Sequence, residues 1–209
     1  MTMFSDIQQG EHVLPLISVA GLRSGSAKAK EIIAGEIGRA SEQFGFFRIC
    51  DHGIPLKLIE SVYAAADEFF SQSEDIKMRC YIGASPNHRG YVPFSEKGDY
   101  PDEVHRSYEA FDLGLDLPPD DPDFLAGNRV LGPNNWPDLT GFQETVGRYY
   151  DEVAYLGRLI CSSLERYLDL PQGAMTQNMT KPISQLRLLH YVRGASVTDI
   201  KSVNMGAHT

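Results

Sequence analysis

The sequence predicts an α+β chain with a mainly β core, and three observations lead there. Residues 27–44, 55–70 and 139–170 carry apolar side chains at helical spacing. Residues 44–53, 106–115 and 184–192 have the aromatic, β-branched or alternating content of strands. A 42% apolar share over 209 residues is enough to bury a core within the length of one domain.

Residues 13–22, VLPLISVAGL, read as an extended opening segment closed by Gly21. Ser26 is placed to cap a helix over 27–44, with Ile32, Ile33, Ile37, Ala40 and Phe44 on its apolar stripe. FGFFRICDHG, bounded by Gly45 and Gly53, argues for a buried strand, which assigns Phe44, Phe46 and Phe47 to the core. The next helix opens at Pro55, where a first-turn proline is welcome, and presents Leu58, Ile59, Val62, Ala66, Phe69 and Phe70. Residues 80–100 are irregular, punctuated by Pro86, Gly90, Pro93 and Gly98. After the strand at 106–115 comes a long proline-rich connector, a feature uncommon in compact domains unless functional or tightly packed. Residues 139–170 form the longest helix, roughly 45 Å at 1.5 Å per residue. Its tyrosines are expected in the core. SQLRLLHYV, 184–192, is the clearest strand: Arg187, Leu189 and Tyr191 share one face, and Leu186, Leu188 and His190 the other.

Charge and cysteine usage narrow the function. Nineteen Lys and Arg against 28 Asp and Glu give a net charge of −9, the wrong sign for a nucleic-acid or anionic-membrane partner. Cys50, Cys80 and Cys161 are scattered, odd in number and in no C-x-x-C arrangement, so a reducing cytoplasm is expected. No secretory signal is legible, and no run approaches the length of a membrane span. The composition leaves oligomeric state open.

There is no G-x-S-x-G elbow, no phosphate-cradling glycine loop and no H-E-x-x-H. None of the six histidines stands four residues from another on a helix, and each alone is ordinary as a surface or hydrogen-bonded residue.

Taken in order, however, five phrases resemble one family: FGFFRICDHGIP, NHRGYVPFSEKG, EAFDLGLDLPPDDPDF, LGPNNWPD and LRLLHY. The resemblance is to the isopenicillin N synthase-like, 2-oxoglutarate/Fe(II)-dependent dioxygenases. It implies a double-stranded β-helix (jelly roll) with N-terminal helices, present here in part. Residues 1–115 would be the N-terminal helical and strand region, 116–183 the connector and backing helix, and 184–209 the first barrel strands. It also implies Fe(II), 2-oxoglutarate and O₂ as requirements and a small-molecule substrate that is hydroxylated, desaturated or cyclised.

The chain ends SVNMGAHT, where the family carries G-x-H-T-D. In that motif a His and an Asp two residues apart bind iron, because residues i and i+2 of a strand project to one side. His208 matches the first ligand. The Asp, a distal His and an Arg-x-Ser pair would lie beyond Thr209, so the chain is expected to be the N-terminal part of an oxygenase that alone holds iron weakly or not at all.

The resemblance further assigns Tyr191 to hydrogen-bond a carboxylate, of 2-oxoglutarate in many members and of substrate in isopenicillin N synthase itself, the plain alternative being a core tyrosine. The family's N-Y-Y-P is here Leu189-His190-Tyr191-Val192, which lacks the Asn. Arg89 and Tyr91 are assigned to the barrel mouth, where a guanidinium can grip a substrate carboxylate; the alternative is an Arg that holds its own loop. His52 is assigned to fixing the turn after its strand, and Asp120-Asp121-Pro122-Asp123 to a solvated loop. Two other functions stay open: an oxidase like isopenicillin N synthase that needs no keto acid, and a non-catalytic truncated module.

Overall fold

The computed structural model describes residues 14–94 and 108–192. The chain divides into two compact units, residues 1–54 with 153–180 and residues 55–152 with 181–209.

In the first unit β1 (Leu16–Ser18) pairs in parallel with β2 (Arg48–Cys50), Leu16 opposite Arg48 and Ser18 opposite Cys50. The strand expected over 44–53 is therefore three residues long. Asp51 and Gly53 adopt φ of 55° and 77°, which takes the chain out of extended geometry. His52 Nδ1 accepts from the Ile54 N–H at 3.1 Å, and its carbonyl accepts from Arg23 Nε, so it fixes this turn as expected. The opening segment is not extended throughout: α1 (Ala20–Ser24) begins directly after β1 and buries Leu22. Next, α2 (Ala27–Phe44) starts on Ser26, whose Oγ accepts from Ala29 N, and stops at Gly45 in the left-handed region. Ile33, Ala34, Ile37, Gly38 and Ala40 are its buried face, while Ile32 is exposed.

Two assignments to the core are corrected. Phe46 is 72% exposed, in the turn between the Gly45 cap and β2. Tyr155 is 46% exposed, and its ring carries the Arg23 guanidinium 5.1 Å from the centroid, a cation–π partnership rather than core packing. The long helix, α6 (Phe142–Tyr167), contributes residues to both units and is shorter than expected. Past its end the chain is tied by Glu165, whose carboxylate accepts from the N–H groups of Thr176, Gly173 and Met175 at 2.7–3.0 Å. Those bonds, Thr176 first, hold the carboxyl at about 2 against the opposing effect of burial.

In the second unit α3 (Leu56–Phe70) follows Pro55 and buries Leu58, Val62, Phe69 and Phe70. A single turn, α4 (Glu74–Lys77), comes after it. The sheet is antiparallel, ordered β3 (Gly90–Val92), β4 (Tyr108–Gly114) and β5 (Gln185–Tyr191). The sequence shows β4 and β5 but not β3, whose three residues sit among turns. Gly90 is required there: it has φ 120°, and a Cβ would lie 2.1 Å from the Cys80 carbonyl oxygen. One face of the sheet packs on the helices of this unit. Phe69 meets Phe70, Tyr91, Phe111 and Phe142 with ring centroids 5.2–5.9 Å apart, edge-on or tilted.

Within the connector, α5 (Pro122–Leu125) is one turn capped by Asp121. Asp121 is buried and accepts both from Asp123 N and from Lys181 Nζ, so the acidic run is not simply a solvated loop. Trp136, the chain's single tryptophan, stacks on Phe111 and donates to Asp116.

Candidate functional site

Strand alternation gives the sheet of the second unit two chemically different faces. Pairing sets Tyr91, Phe111 and Leu188 in one row, with Glu109 beside His190 and Leu113 beside Leu186. This face is apolar except for one cluster. The other face carries Tyr108 opposite Tyr191, Ala110 opposite Leu189 and Asp112 opposite Arg187.

The cluster centres on Glu109, which is 1% exposed. Its Oε2 accepts from Lys77 Nζ and from the Tyr91 hydroxyl, both at 2.6 Å, and its Oε1 lies 2.8 Å from His190 Nδ1. Lys77 also donates to the Phe70 carbonyl, and Phe70 stacks on the His190 ring. Burial pushes the Glu109 carboxyl up; the hydrogen bonds from Lys77, Tyr91 and His190 together outweigh it and leave the carboxyl below its usual value. Burial, then the bond to Glu109, pushes the Tyr91 phenol up. One carboxylate thus joins α4, β3, β4 and β5, a clamp that sequence reasoning missed because its bonds span up to 81 positions. The inward alternation of His190 was the available signal.

Arg89 is 4% exposed. Its Nη1 donates to the carbonyls of Asn87 and His88 and its Nη2 to that of Val130, so it holds its own loop to the connector. Its Nε is buried without a partner. Tyr91 is 1% exposed, with its hydroxyl on Glu109. Arg89 and Tyr91 are therefore engaged within the fold, and neither presents an open face.

Tyr191 differs: it is 46% exposed, on the side of β5 opposite His190, with its ring 5.4 Å from that of Tyr108. On the same face Leu189 is 42% exposed. Arg187 grips the buried Asp112 from the side, Nε to Oδ1 and Nη2 to Oδ2, both at 2.6 Å. His208 lies outside the described residues. Among the described residues no three His, Cys, Asp or Glu side chains come together in a way that could hold a metal ion. No helix among them is long and apolar enough to cross a membrane.

Residues 14–139, more than half of the chain, match the family described as non-haem dioxygenase in morphine synthesis N-terminal. The chain belongs to this family. Among similar proteins, clavatol oxidase claD of Penicillium crustosum is 30% identical over 93% of this chain and 62% of its own length. The 2-oxoglutarate-dependent dioxygenase tropC of Talaromyces stipitatus is 27% identical over 96% of the chain and 64% of its own length. This chain thus spans somewhat under two thirds of the length of the curated relatives it matches. Its fold is shared with a full-length Neurospora crassa protein solved in complex with alpha-KG. There the TM-score is 0.75 at 22% identity, covering 94% of this chain and 60% of the other.

Proposed function

We propose that the chain is part of a non-haem Fe(II)- and 2-oxoglutarate-dependent oxygenase that oxidises a small molecule at a C–H bond, built on a jelly roll whose first strands lie in residues 184–209. The observation that carries this is the half-exposed phenol of Tyr191, on the side of β5 turned away from Leu188 and His190, in a chain whose family match and relatives are oxygenases. The names of those relatives favour a keto-acid requirement over the oxidase alternative.

When bound, iron with 2-oxoglutarate and O₂ supplies the oxidising power that no side chain can. His208 is the residue of this chain proposed to hold the metal. Tyr191 fits the cosubstrate on the chemistry of its donor: no hydrogen-bond partner occupies its hydroxyl among the described residues, and a phenol O–H to a carboxylate is a strong, directional bond in a dry site. Arg89 and Tyr91 act in this reading as the framework of the barrel mouth. Arg89 reaches a substrate through its charge rather than by contact. A cytoplasmic location is in keeping with the three free cysteines.

Anaerobic titration of the protein with Fe(II) and 2-oxoglutarate tests the reading. A visible charge-transfer band of the chelated keto acid is expected, and Tyr191→Phe should weaken 2-oxoglutarate binding about tenfold, the loss of one charge-assisted hydrogen bond. Absence of the band, or an unchanged affinity in Tyr191→Phe, counts against it.

A further inference from the structure

Arg187 is poised differently from a structural ion-pair arginine. It spends Nε and one Nη2 hydrogen on Asp112, which is 1% exposed and cannot move away. The arginine side chain itself is 43% exposed. Of five guanidinium N–H donors, those on Nη1 and one on Nη2 have no partner among the described residues. Side-on pairing fixes the plane of the group, so the free donors point in a set direction rather than sweeping through solvent.

A second guanidinium lies close by. Arg89 has no carboxylate of its own among the described residues, and its guanidinium lies against Gly114, where a Cβ would come within 2.4 Å of it. Burial works against the Arg89 charge, and Asp112 is the carboxylate that supports it. Asp112 thus stands near two guanidinium groups, paired with that of Arg187 and supporting that of Arg89 from a distance. Along β5 from Arg187, Leu189 stands over Ala110, and Tyr191 stands beside Tyr108 about 13 Å away, four residues at some 3.3 Å each. The exposed side of β5 thus runs from a cation through an apolar step to a pair of phenols.

We propose that Arg187, oriented by Asp112, is the specificity-determining residue of this face and binds the carboxylate of a small substrate whose apolar body lies on Leu189. The proposal rests on the oxygenase reading in one respect, that this face is the interior of the barrel. The free edge of the planar fork meets a carboxylate with two parallel, charge-assisted hydrogen bonds. An amide or ester offers the same shape without the charge.

Calorimetric titration of the iron-free protein with benzoate, hexanoate, benzamide and hexanamide, each with and without saturating 2-oxoglutarate, tests it. The acids should bind at least tenfold more tightly than the amides. Arg187→Gln should bring the acids down to the level of the amides while leaving the amides unchanged. Arg187→Lys, which keeps the charge and the contact with Asp112 but lacks the fork, should lose several-fold; it carries the test if the Gln variant does not fold. Equal binding of acid and amide, undiminished benzoate binding in either variant, or displacement of benzoate by 2-oxoglutarate would each overturn the proposal, the last by assigning the arginine to the cosubstrate. Failure of the oxygenase reading shows separately, as the missing charge-transfer band with iron.

Discussion

Replacing Lys77 by Met removes the cation from the Glu109 clamp while keeping the length and most of the apolar volume of the side chain. Lys77 and Glu109 are 6% and 1% exposed, so the carboxylate left behind has no water to turn to and keeps only the Tyr91 hydroxyl and His190. Breaking a buried pair on one side costs about 3–5 kcal/mol. The protein has one way to limit that loss, which is to protonate Glu109. Relative to the ordinary value of 4.5, neutralising the carboxyl at pH 7 costs about 3.4 kcal/mol at 1.36 kcal/mol per unit, and at pH 5 it costs only about 0.7 kcal/mol. Lys77→Met should therefore lose about 3 kcal/mol at pH 7 and distinctly less at pH 5. The parent protein behaves in the opposite sense. Its Glu109 carboxyl is held below 4.5, so the stability that Glu109 contributes is present above that pH and is lost as pH falls through the lower, folded value. Urea unfolding followed by the fluorescence of Trp136 reads this unit, since the indole lies 6.2 Å from both Phe111 and Phe142. Adding Glu109→Gln to Lys77→Met should recover about 2 kcal/mol relative to the sum of the single changes, because the two groups share one interaction. A Lys77→Met cost below about 1 kcal/mol at pH 7, or one that does not change between pH 7 and 5, would refute the reading of a dry, charge-paired clamp.

Three further outcomes follow from the packing. Phe69→Ala, at a ring enclosed by Phe70, Tyr91, Phe111 and Phe142, should cost about 3–5 kcal/mol in the same urea assay, and a loss under about 2 kcal/mol would mean the site collapses around the cavity. Gly38→Ala would place a Cβ 2.1–2.3 Å from atoms of the Tyr167 ring and should lower stability by about 1–3 kcal/mol by thermal circular dichroism; Tyr167→Ala in the same chain should relieve the clash. Glu165, held at about 2, contributes stability that is present above 4.5 and lost as pH falls toward 2, so Glu165→Gln should lower the thermal midpoint at pH 6 and flatten its decline between pH 5 and 2. An acid limb as steep as that of the parent would show that the three backbone bonds do not depend on the charge.

The helices and the face of β5 are legible because their signals are local. Ser26 before 27–44, Pro55 before 56–70, and the alternation of Leu186, Leu188 and His190 each depend on residues within a turn or a strand of one another. β3 is not legible: three residues in a run of turns carry too little pattern, and Gly90 pairs with Asp112, a partner 22 positions along the chain. Phe46 and Tyr155 depart from the expected core because hydrophobicity says that a side chain can be buried, not that something lies opposite it. Arg89 draws attention as an isolated cation in a glycine-rich phrase; its three carbonyl partners, one of them 41 positions away, cannot be read from the phrase.

By itself the sequence determined the element types, the net charge, the two-sided character of β5 and the ordered phrases that place the chain among the non-haem dioxygenases. These depend on composition and short periodicity, which fold and family both leave written along the chain. Only the tertiary structure decided that Glu109 gathers Lys77, Tyr91 and His190, that Arg89 is consumed by its loop, and that Arg187 stands half free on Asp112. Each of those facts is a meeting of side chains far apart in the chain, fixed by how the strands and loops are brought together. Along the sheet a one-residue slip in register would turn β5 over and carry His190 and Arg187 to the opposite faces.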